Sequence, residues 1–79
     1  MRVHVRYFAA AKAATGKAEE HLEVAPATTV GELLDQLGSS APAVFARCSF
    51  ILNEVATTDR TRLLSDGDLL DVLPPFAGG

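Results

Sequence analysis

The chain has 79 residues, of which 48% are hydrophobic and 22% charged, and its net charge is −3 at pH 7. This length allows one domain with a modest core, and the hydrophobic content is too high for intrinsic disorder. Scattered basic residues and few aromatic ones argue against nucleic-acid binding, and no apolar run is long enough for a membrane span. The sequence has no signal-peptide pattern, and Cys48 is its one cysteine, so it cannot form an internal disulfide. Together these features predict a cytoplasmic protein.

The N-terminal part predicts two strands around a short helical segment. Residues 2–7 alternate between polar and apolar side chains, as a half-buried strand requires. The alanine-rich stretch 9–15 predicts a helical turn or loop that ends at Gly16. Residues 21–24 alternate again and predict a second strand, paired with the first and ended by Pro26.

The clearest helix signal follows at residue 29. Thr29 and Glu32 have the spacing of a capping box, in which each side chain bonds the other's backbone N–H. An apolar stripe then recurs at helical spacing, and Gly38 is a stop signal. The stripe consists of Val30, Leu33, Leu34 and Leu37.

The C-terminal part predicts a loop with one helical turn after Pro42, then short strands. A buried strand at 50–52 turns at Asn53-Glu54 into residues 55–56. Asp66-Gly67 marks another turn, and residues 69–73 form the last strand.

This order of elements predicts an α+β fold of the β-grasp (ubiquitin-like) type, a mixed sheet of four to five strands covered by one main helix. The first and last strands are expected to lie parallel at the centre of the sheet. In the last strand Leu70 and Val72 should face the core, and Leu69, Asp71 and Leu73 the opposite side. The β-grasp domain is expected over residues 1–73, with an extended tail over 74–79.

The tail reads Pro74-Pro75-Phe76-Ala77-Gly78-Gly79. Two prolines favour an extended path, and two glycines allow the backbone to enter a slot too narrow for other residues. We therefore expect the tail to present the carboxylate of Gly79 to the active site of another protein.

Several motifs, in this order, resemble the MoaD-like small subunit of molybdopterin synthase, within the MoaD/ThiS ubiquitin-like sulfur carrier family. They are Val5-Arg6-Tyr7-Phe8-Ala9-Ala10-Ala11, Thr29-Val30-Gly31-Glu32-Leu33-Leu34, Leu52-Asn53-Glu54, Asp66-Gly67-Asp68 and the Pro-Pro-x-x-Gly-Gly ending. The resemblance spans essentially the whole chain, and the ending is its most specific part.

The resemblance implies a sulfur carrier of molybdenum cofactor biosynthesis that is not itself an enzyme. A MoeB-like adenylating enzyme would use ATP to activate Gly79. A sulfurtransferase or persulfide donor would then supply the sulfur of a C-terminal thiocarboxylate (1-thioglycine), with no bound cofactor or metal. The thiocarboxylate would donate sulfur to a pterin precursor on a large, MoaE-like subunit, whose residues perform the catalysis.

Partner contacts are expected along the tail and on an apolar patch beside it, formed by Leu69 and Leu73 and extended by Phe8 and Leu63. The predicted contact residues are Phe8, Leu63, Leu73, Pro74, Pro75, Phe76, Ala77 and Gly78. Exposed apolar patches commonly mark partner surfaces. Burial at a twisted sheet edge is the alternative for Phe8 and Leu63.

Three residues depart from the family pattern. Glu54 replaces a common glycine in a tight turn, Asp71 lies within the last strand where an apolar or small residue is usual, and Phe76 replaces a smaller aliphatic residue. They affect partner details and leave the terminal chemistry intact.

The remaining candidate residues favour structural roles. Cys48 has no adjacent catalytic partners in the sequence and is expected to be a half-buried thiol. His4 and His21 are isolated on the polar strand face, which is too few ligands for a metal site.

Three alternative functions remain open at this stage. They are a ThiS-like carrier for thiazole or a carrier for cysteine synthesis, a ubiquitin-like modifier joined to lysines through Gly79, and an interaction module without tail chemistry.

Overall fold

Five strands form one mixed sheet in the computed structural model, which describes residues 1–39 and 42–73. The strands are β1 (Arg2–Tyr7), β2 (Glu19–Glu23), β3 (Ser49–Leu52), β4 (Val55–Thr57) and β5 (Leu69–Leu73). Their order in the sheet is β2-β1-β5-β3-β4. β1 and β5 are parallel and the other neighbours are antiparallel. The predicted β-grasp fold, with the first and last strands paired at its centre, is confirmed.

In the described part of the chain, three helices connect or cover the strands: α1 (Ala9–Thr15), α2 (Val30–Leu37) and α3 (Pro42–Phe45). α2 begins with the predicted capping box, because the Thr29 hydroxyl accepts from the Glu32 N–H and the Glu32 carboxylate accepts from the Thr29 N–H. α1 ends at Gly16, whose φ of 74° is left-handed and whose N–H donates to the Lys12 carbonyl.

Gly38 follows α2 for a steric reason that the sequence pattern did not predict. Its φ is −87°, so the left-handed conformation is not what requires a glycine. A Cβ atom at this position would lie 2.6 Å from Cβ of Phe45. The glycine therefore allows the end of α2 to pack closely against α3.

The core lies between the sheet and the helices. β1 and β5 contribute alternate residues to it, and α2 contributes its predicted apolar stripe, with Leu37 only half-buried. The buried apolar residues are Val3, Val5, Tyr7, Ala11, Val30, Leu33, Leu34, Phe45, Phe50, Leu52, Leu64, Leu70 and Val72. The Tyr7 hydroxyl donates to the Glu20 carboxylate at 2.6 Å, which satisfies the one polar atom that this ring brings into the core.

A polar cluster joins the β3–β4 turn to the start of β5. The Asn53 side chain donates to Asp68 Oδ1 and accepts from the Leu69 N–H, both at 2.9 Å. Asp68 also accepts from the Ser65 N–H and is 8% exposed. The turn and the strand that precedes the tail are therefore fixed to each other.

Two sequence predictions need correction in detail. β2 begins at Glu19, two residues earlier than predicted, because Glu19 and Glu20 pair with Arg6 and Val5 of β1. Ile51 was expected to be buried with its strand neighbours, but it is only half-buried on the sheet face opposite the core.

Among the described residues, no helix combines the length and the apolar character needed to cross a membrane.

Candidate functional site

β5 is the strand from which the tail begins, and it lies at the centre of the sheet. It pairs with β1 on one side and with β3 on the other. Its last residue, Leu73, is opposite Ser49 at the start of β3. A strand paired on both sides is held in a defined direction. The predicted tail contacts Pro74, Pro75, Phe76, Ala77 and Gly78, and the reactive Gly79, lie outside the described residues.

The sheet face opposite the core carries apolar side chains along β5 and beside it. Leu69, Leu73 and Ile51 are half-buried and lie apart from the core cluster. Phe8 follows β1, is 39% exposed, and donates its N–H to the Val72 carbonyl. This bond places Phe8 beside Leu73, the next residue of β5. We call these four residues, with Arg6 and Asp71 between them, the docking face.

The centre of the docking face is ionic. Arg6 and Asp71 are register partners on β1 and β5. Arg6 Nε lies 2.6 Å from Asp71 Oδ1, and Arg6 Nη2 lies 2.7 Å from Oδ2, which makes a bidentate pair. The Arg6 guanidinium carbon also lies 6.0 Å from the centre of the Phe8 ring. The departure from the family pattern at Asp71 is therefore compensated by Arg6.

Leu63 does not join this face. It is 60% exposed, but it forms a β-bridge with Thr29 at the start of α2. The segments that flank this bridge in the chain meet the start of β1, since Gly67 donates to the Arg2 carbonyl and Val24 to the Met1 carbonyl. Phe8 and Leu73 lie at the other end of β1 and β5. Leu63 therefore lies apart from the other members of the expected patch, Leu69, Leu73 and Phe8, and a partner contact of Leu63 stays a prediction.

Sequence reasoning missed two apolar residues outside the core. Ile51 lies across from Asp71 on β3, and Val55 on the edge strand β4 is 61% exposed. The strand alternation that placed Leu69 and Leu73 on the outer face also holds for Ile51 between Phe50 and Leu52. That signal was therefore present in the sequence.

The contacts of the other candidate residues, Cys48, His4 and His21, fit structural roles. The Cys48 thiol is half-buried and donates to the Val44 carbonyl, and burial raises its pKa, so the reactive thiolate is disfavoured. The prediction of a half-buried thiol is confirmed.

The His4 and His21 rings stack with centroids 4.2 Å apart, and His4 Nε2 lies 3.1 Å from Glu19 Oε1. Within residues 1–39 and 42–73, no group of three or more acidic, histidine or cysteine side chains is placed to hold a metal ion.

Comparison with known proteins gives consistent matches over the full length. A model of the ThiS family matches residues 5–79. A molybdopterin synthase sulfur carrier subunit from Chlamydomonas reinhardtii is 32% identical, with all of both chains covered. One from Mycobacterium tuberculosis is 34% identical, covering 100% of this chain and 99% of the relative.

Solved structures share the fold. One is a complex of subunits 1 and 2 of molybdopterin-converting factor from Helicobacter pylori, with a TM-score of 0.69, 25% identity and full coverage of both chains. SAMP1 from Haloferax volcanii has a TM-score of 0.81 at 23% identity, again with full coverage of both chains. At that identity, the second likeness establishes the fold alone.

Proposed function

The chain belongs to the ThiS family, and we propose that it is a sulfur carrier of molybdenum cofactor biosynthesis, the small subunit of a molybdopterin synthase. The observation that carries this proposal is the end-to-end similarity to molybdopterin synthase sulfur carrier subunits, at 32% and 34% identity. The Pro-Pro-x-x-Gly-Gly ending supplies the group that such a role needs.

The proposed chemistry takes place at the carboxylate of Gly79. A carboxylate is a poor electrophile, so a MoeB-like enzyme first joins it to the α-phosphate of ATP and releases pyrophosphate. The persulfide of a sulfurtransferase or other donor then displaces AMP to form an acyl disulfide. A second thiol, on the donor or the activating enzyme, breaks the S–S bond of this intermediate, which releases the thiocarboxylate and leaves a disulfide between the two thiols. The thiocarboxylate is a good nucleophile toward the pterin precursor. A covalent carrier thereby divides one difficult sulfur transfer into easier steps.

The fold supports this role by separating docking from chemistry. The docking face gives a partner an apolar surface beside the end of β5, and the tail continues from that point. The six residues 74–79 reach roughly 20 Å when extended. A large, MoaE-like subunit that binds the docking face would therefore have the terminal carboxylate within reach of its own active site. Its residues, rather than any in this chain, supply the acids and bases.

The proposed location is the cytoplasm, where ATP for the activating enzyme is present. The small subunit itself needs no bound cofactor or metal, because the functional group is the 1-thioglycine formed at Gly79.

Reconstitution with purified partners tests the proposed function. The chain is incubated with a MoeB-like enzyme, ATP and a sulfur donor, and its intact mass is measured. We expect an increase equal to the exchange of one oxygen for sulfur, followed by return to the original mass when the large subunit and the pterin precursor are added. Sulfur loading with release only to a thiazole- or cysteine-forming enzyme would reassign the pathway. High-mass conjugates on lysine would indicate a modifier, and an unchanged mass would contradict the carrier role.

Leu73→Asp tests the docking face separately from folding. Leu73 lies outside the core cluster, so we expect cooperative melting close to that of the wild type. Binding to the large subunit should weaken by tenfold or more, because the new carboxylate would lose its water at an apolar contact, at a cost of roughly 1–3 kcal/mol or more. Calorimetric titration measures this. A folded variant with unchanged affinity would remove Leu73 from the interface, and an unfolded variant would show that Leu73 supports the core.

A further inference from the structure

The ion pair between Arg6 and Asp71 lies in an unusual place for a buried charge. Asp71 is only 7% exposed although it lies on the sheet face opposite the core and the three described helices. Its register neighbours are Arg6 on one side and Ile51 on the other. Both carboxylate oxygens accept from the Arg6 guanidinium, so Asp71 is satisfied within its own sheet.

The ion pair with Asp71 uses only some of the hydrogen-bond donors of Arg6. A guanidinium has five N–H donors, and the bidentate pair with Asp71 engages two of them. The Arg6 side chain is 39% exposed, so water can reach the remaining donors in the free protein. Within residues 1–39 and 42–73, the pair thus leaves three N–H groups of a planar cation without an acceptor on the outer face of the sheet.

The side chains toward β5, β3 and the end of β1 are apolar. Phe8 lies next to the guanidinium, and Leu73 and Ile51 flank the pair along β5 and β3. A partner that buries the apolar side chains also removes the Arg6 donors from water. An N–H group buried without an acceptor costs free energy comparable to a lost hydrogen bond, and more when the group is charged.

We infer that Arg6 determines partner specificity on the docking face, and that the large-subunit surface covering it is apolar around a hydrogen-bond acceptor directed at the guanidinium. This inference rests on the proposed function, because it assumes that the large subunit binds this face. It adds the chemistry that the partner must present.

The charges near Arg6 favour a neutral acceptor. Asp71 already neutralises the positive charge of the guanidinium, and Glu19, a second acidic residue, is the register partner of Arg6 on β2. The pKa of Arg6 is raised, first by the hydrogen bond with Asp71 and then by the charges of Asp71, Glu19 and Glu54. A further carboxylate on the partner would meet these acidic groups. A main-chain carbonyl or a side-chain amide oxygen satisfies the donors without that repulsion.

A double substitution separates this role from a purely structural one. Exchanging a buried ion pair for apolar residues is often neutral or stabilising for folding. Arg6→Leu combined with Asp71→Ala should therefore melt at or above the wild-type temperature. The face also becomes more apolar, so a partner without an acceptor at this point would bind the variant at least as well. A partner with an acceptor would bind it worse, because its own polar group would be left unpaired.

The experiment is a calorimetric titration of the full chain with the large subunit at two salt concentrations. We expect the double variant to bind about tenfold or more weakly. Arg6→Lys should also bind more weakly, because an ammonium lacks the planar fork. Arg2→Leu is the control, since it removes a positive charge from the start of β1, outside the docking face, and its affinity should stay within about twofold of wild type. The ratio of wild-type to double-variant affinity should be independent of salt.

Wild-type affinity of the folded double variant would overturn the inference while leaving the proposed function intact. A ratio that falls steeply with salt would overturn the neutral acceptor and indicate a carboxylate on the partner. Failure of the wild-type chain to bind any large subunit would instead contradict the proposed function, and this inference with it.

Discussion

Glu54 occupies a backbone conformation that suits glycine better. Asn53 and Glu54 have φ values of 51° and 69°, the pattern of a type I′ turn between β3 and β4. Left-handed backbone destabilises a residue with a Cβ atom by roughly 1–2 kcal/mol, whereas glycine is destabilised little beyond the effect of its extra entropy in the unfolded chain. The departure from the family pattern at Glu54 therefore falls on a left-handed position of this turn.

Glu54→Gly should stabilise the protein by up to about 1 kcal/mol, measured by urea unfolding. Asn53→Gly is the matched control in the same turn. It should destabilise the protein, because the Asn53 side chain bonds both Asp68 and the Leu69 backbone. A loss of stability in Glu54→Gly would show that the Glu54 side chain contributes more than its backbone strain costs.

Glu20 links stability to pH through its contact with Tyr7. Its pKa is lowered, mainly by the hydrogen bond from the Tyr7 hydroxyl and further by Lys17. Burial, and then the bond to Glu20, raises the pKa of Tyr7, so the phenol stays a donor at neutral pH. A carboxyl whose pKa is depressed by folding stabilises the native state above its unfolded pKa, and the contribution disappears as the pH falls through the folded value.

Glu20→Gln should therefore be less stable than wild type at pH 7, and the difference should shrink as the pH falls below about 4. Unfolding free energies at pH 7, 5 and 3 measure this, with Glu23→Gln on the same strand as the exposed control. A difference that is constant over this range would contradict the assignment of the stabilisation to the ionised Glu20.

At the scale of elements, α2 is the main cover of the sheet, and Leu34 is at the centre of its buried stripe. Leu34 is 2% exposed. Leu34→Ala should cost roughly 2–5 kcal/mol of unfolding free energy, because it removes core contacts and leaves a cavity. Gln36→Ala, on the exposed side of the same helix, should change stability by less than about 0.5 kcal/mol. Chemical denaturation measures both, and a loss below about 1 kcal/mol for Leu34→Ala would contradict its place in the core.

Most elements could be predicted from sequence because their signals are local. The alternation of β1, the capping box of α2 and the glycine after α1 each depend on residues close together in the chain. The start of β2 was missed because Glu19 and Glu20 are weak strand formers, and their pairing with β1 depends on the register of the two strands. Short-range patterns do not contain that register.

The candidate site shows the same limit. The outer face of β5 could be predicted from alternation, but the pairing of Arg6 with Asp71 joins residues 65 positions apart in the chain. It depends on the parallel register of β1 and β5, so the sequence presented Asp71 only as a departure from a family pattern. The separation of Leu63 from the docking face has a related cause, because its bridge to Thr29 also joins residues far apart in the chain.

At the scale of the whole molecule, the sheet gives the tail a fixed origin. β5 is held on both sides, and its start is tied to the β3–β4 turn through Asn53. The position of β5 therefore determines where the tail begins relative to the docking face, and the length of the tail determines how far Gly79 reaches. In the proposed mechanism, the position of the terminal carboxylate is therefore as important as its chemistry.

Deletion of Gly79 tests this central claim most directly. The variant ends in Gly78, which has a carboxylate of identical chemistry displaced by roughly 3.5 Å along an extended tail. Adenylation requires the carboxylate oxygen in line with the α-phosphate, and a misplacement of about 1 Å can reduce the rate about 10²-fold. A second variant with one residue added after Gly79 should fail for the same reason.

The measurement is ATP–pyrophosphate exchange with the MoeB-like enzyme, together with intact mass after addition of a sulfur donor. Both variants should melt like the wild type and bind the large subunit nearly normally. We expect rapid exchange and sulfur loading for the wild type, and neither for the two variants. Exchange and loading at the wild-type level by both variants would contradict the claim that Gly79 is the reacting residue of a sulfur carrier.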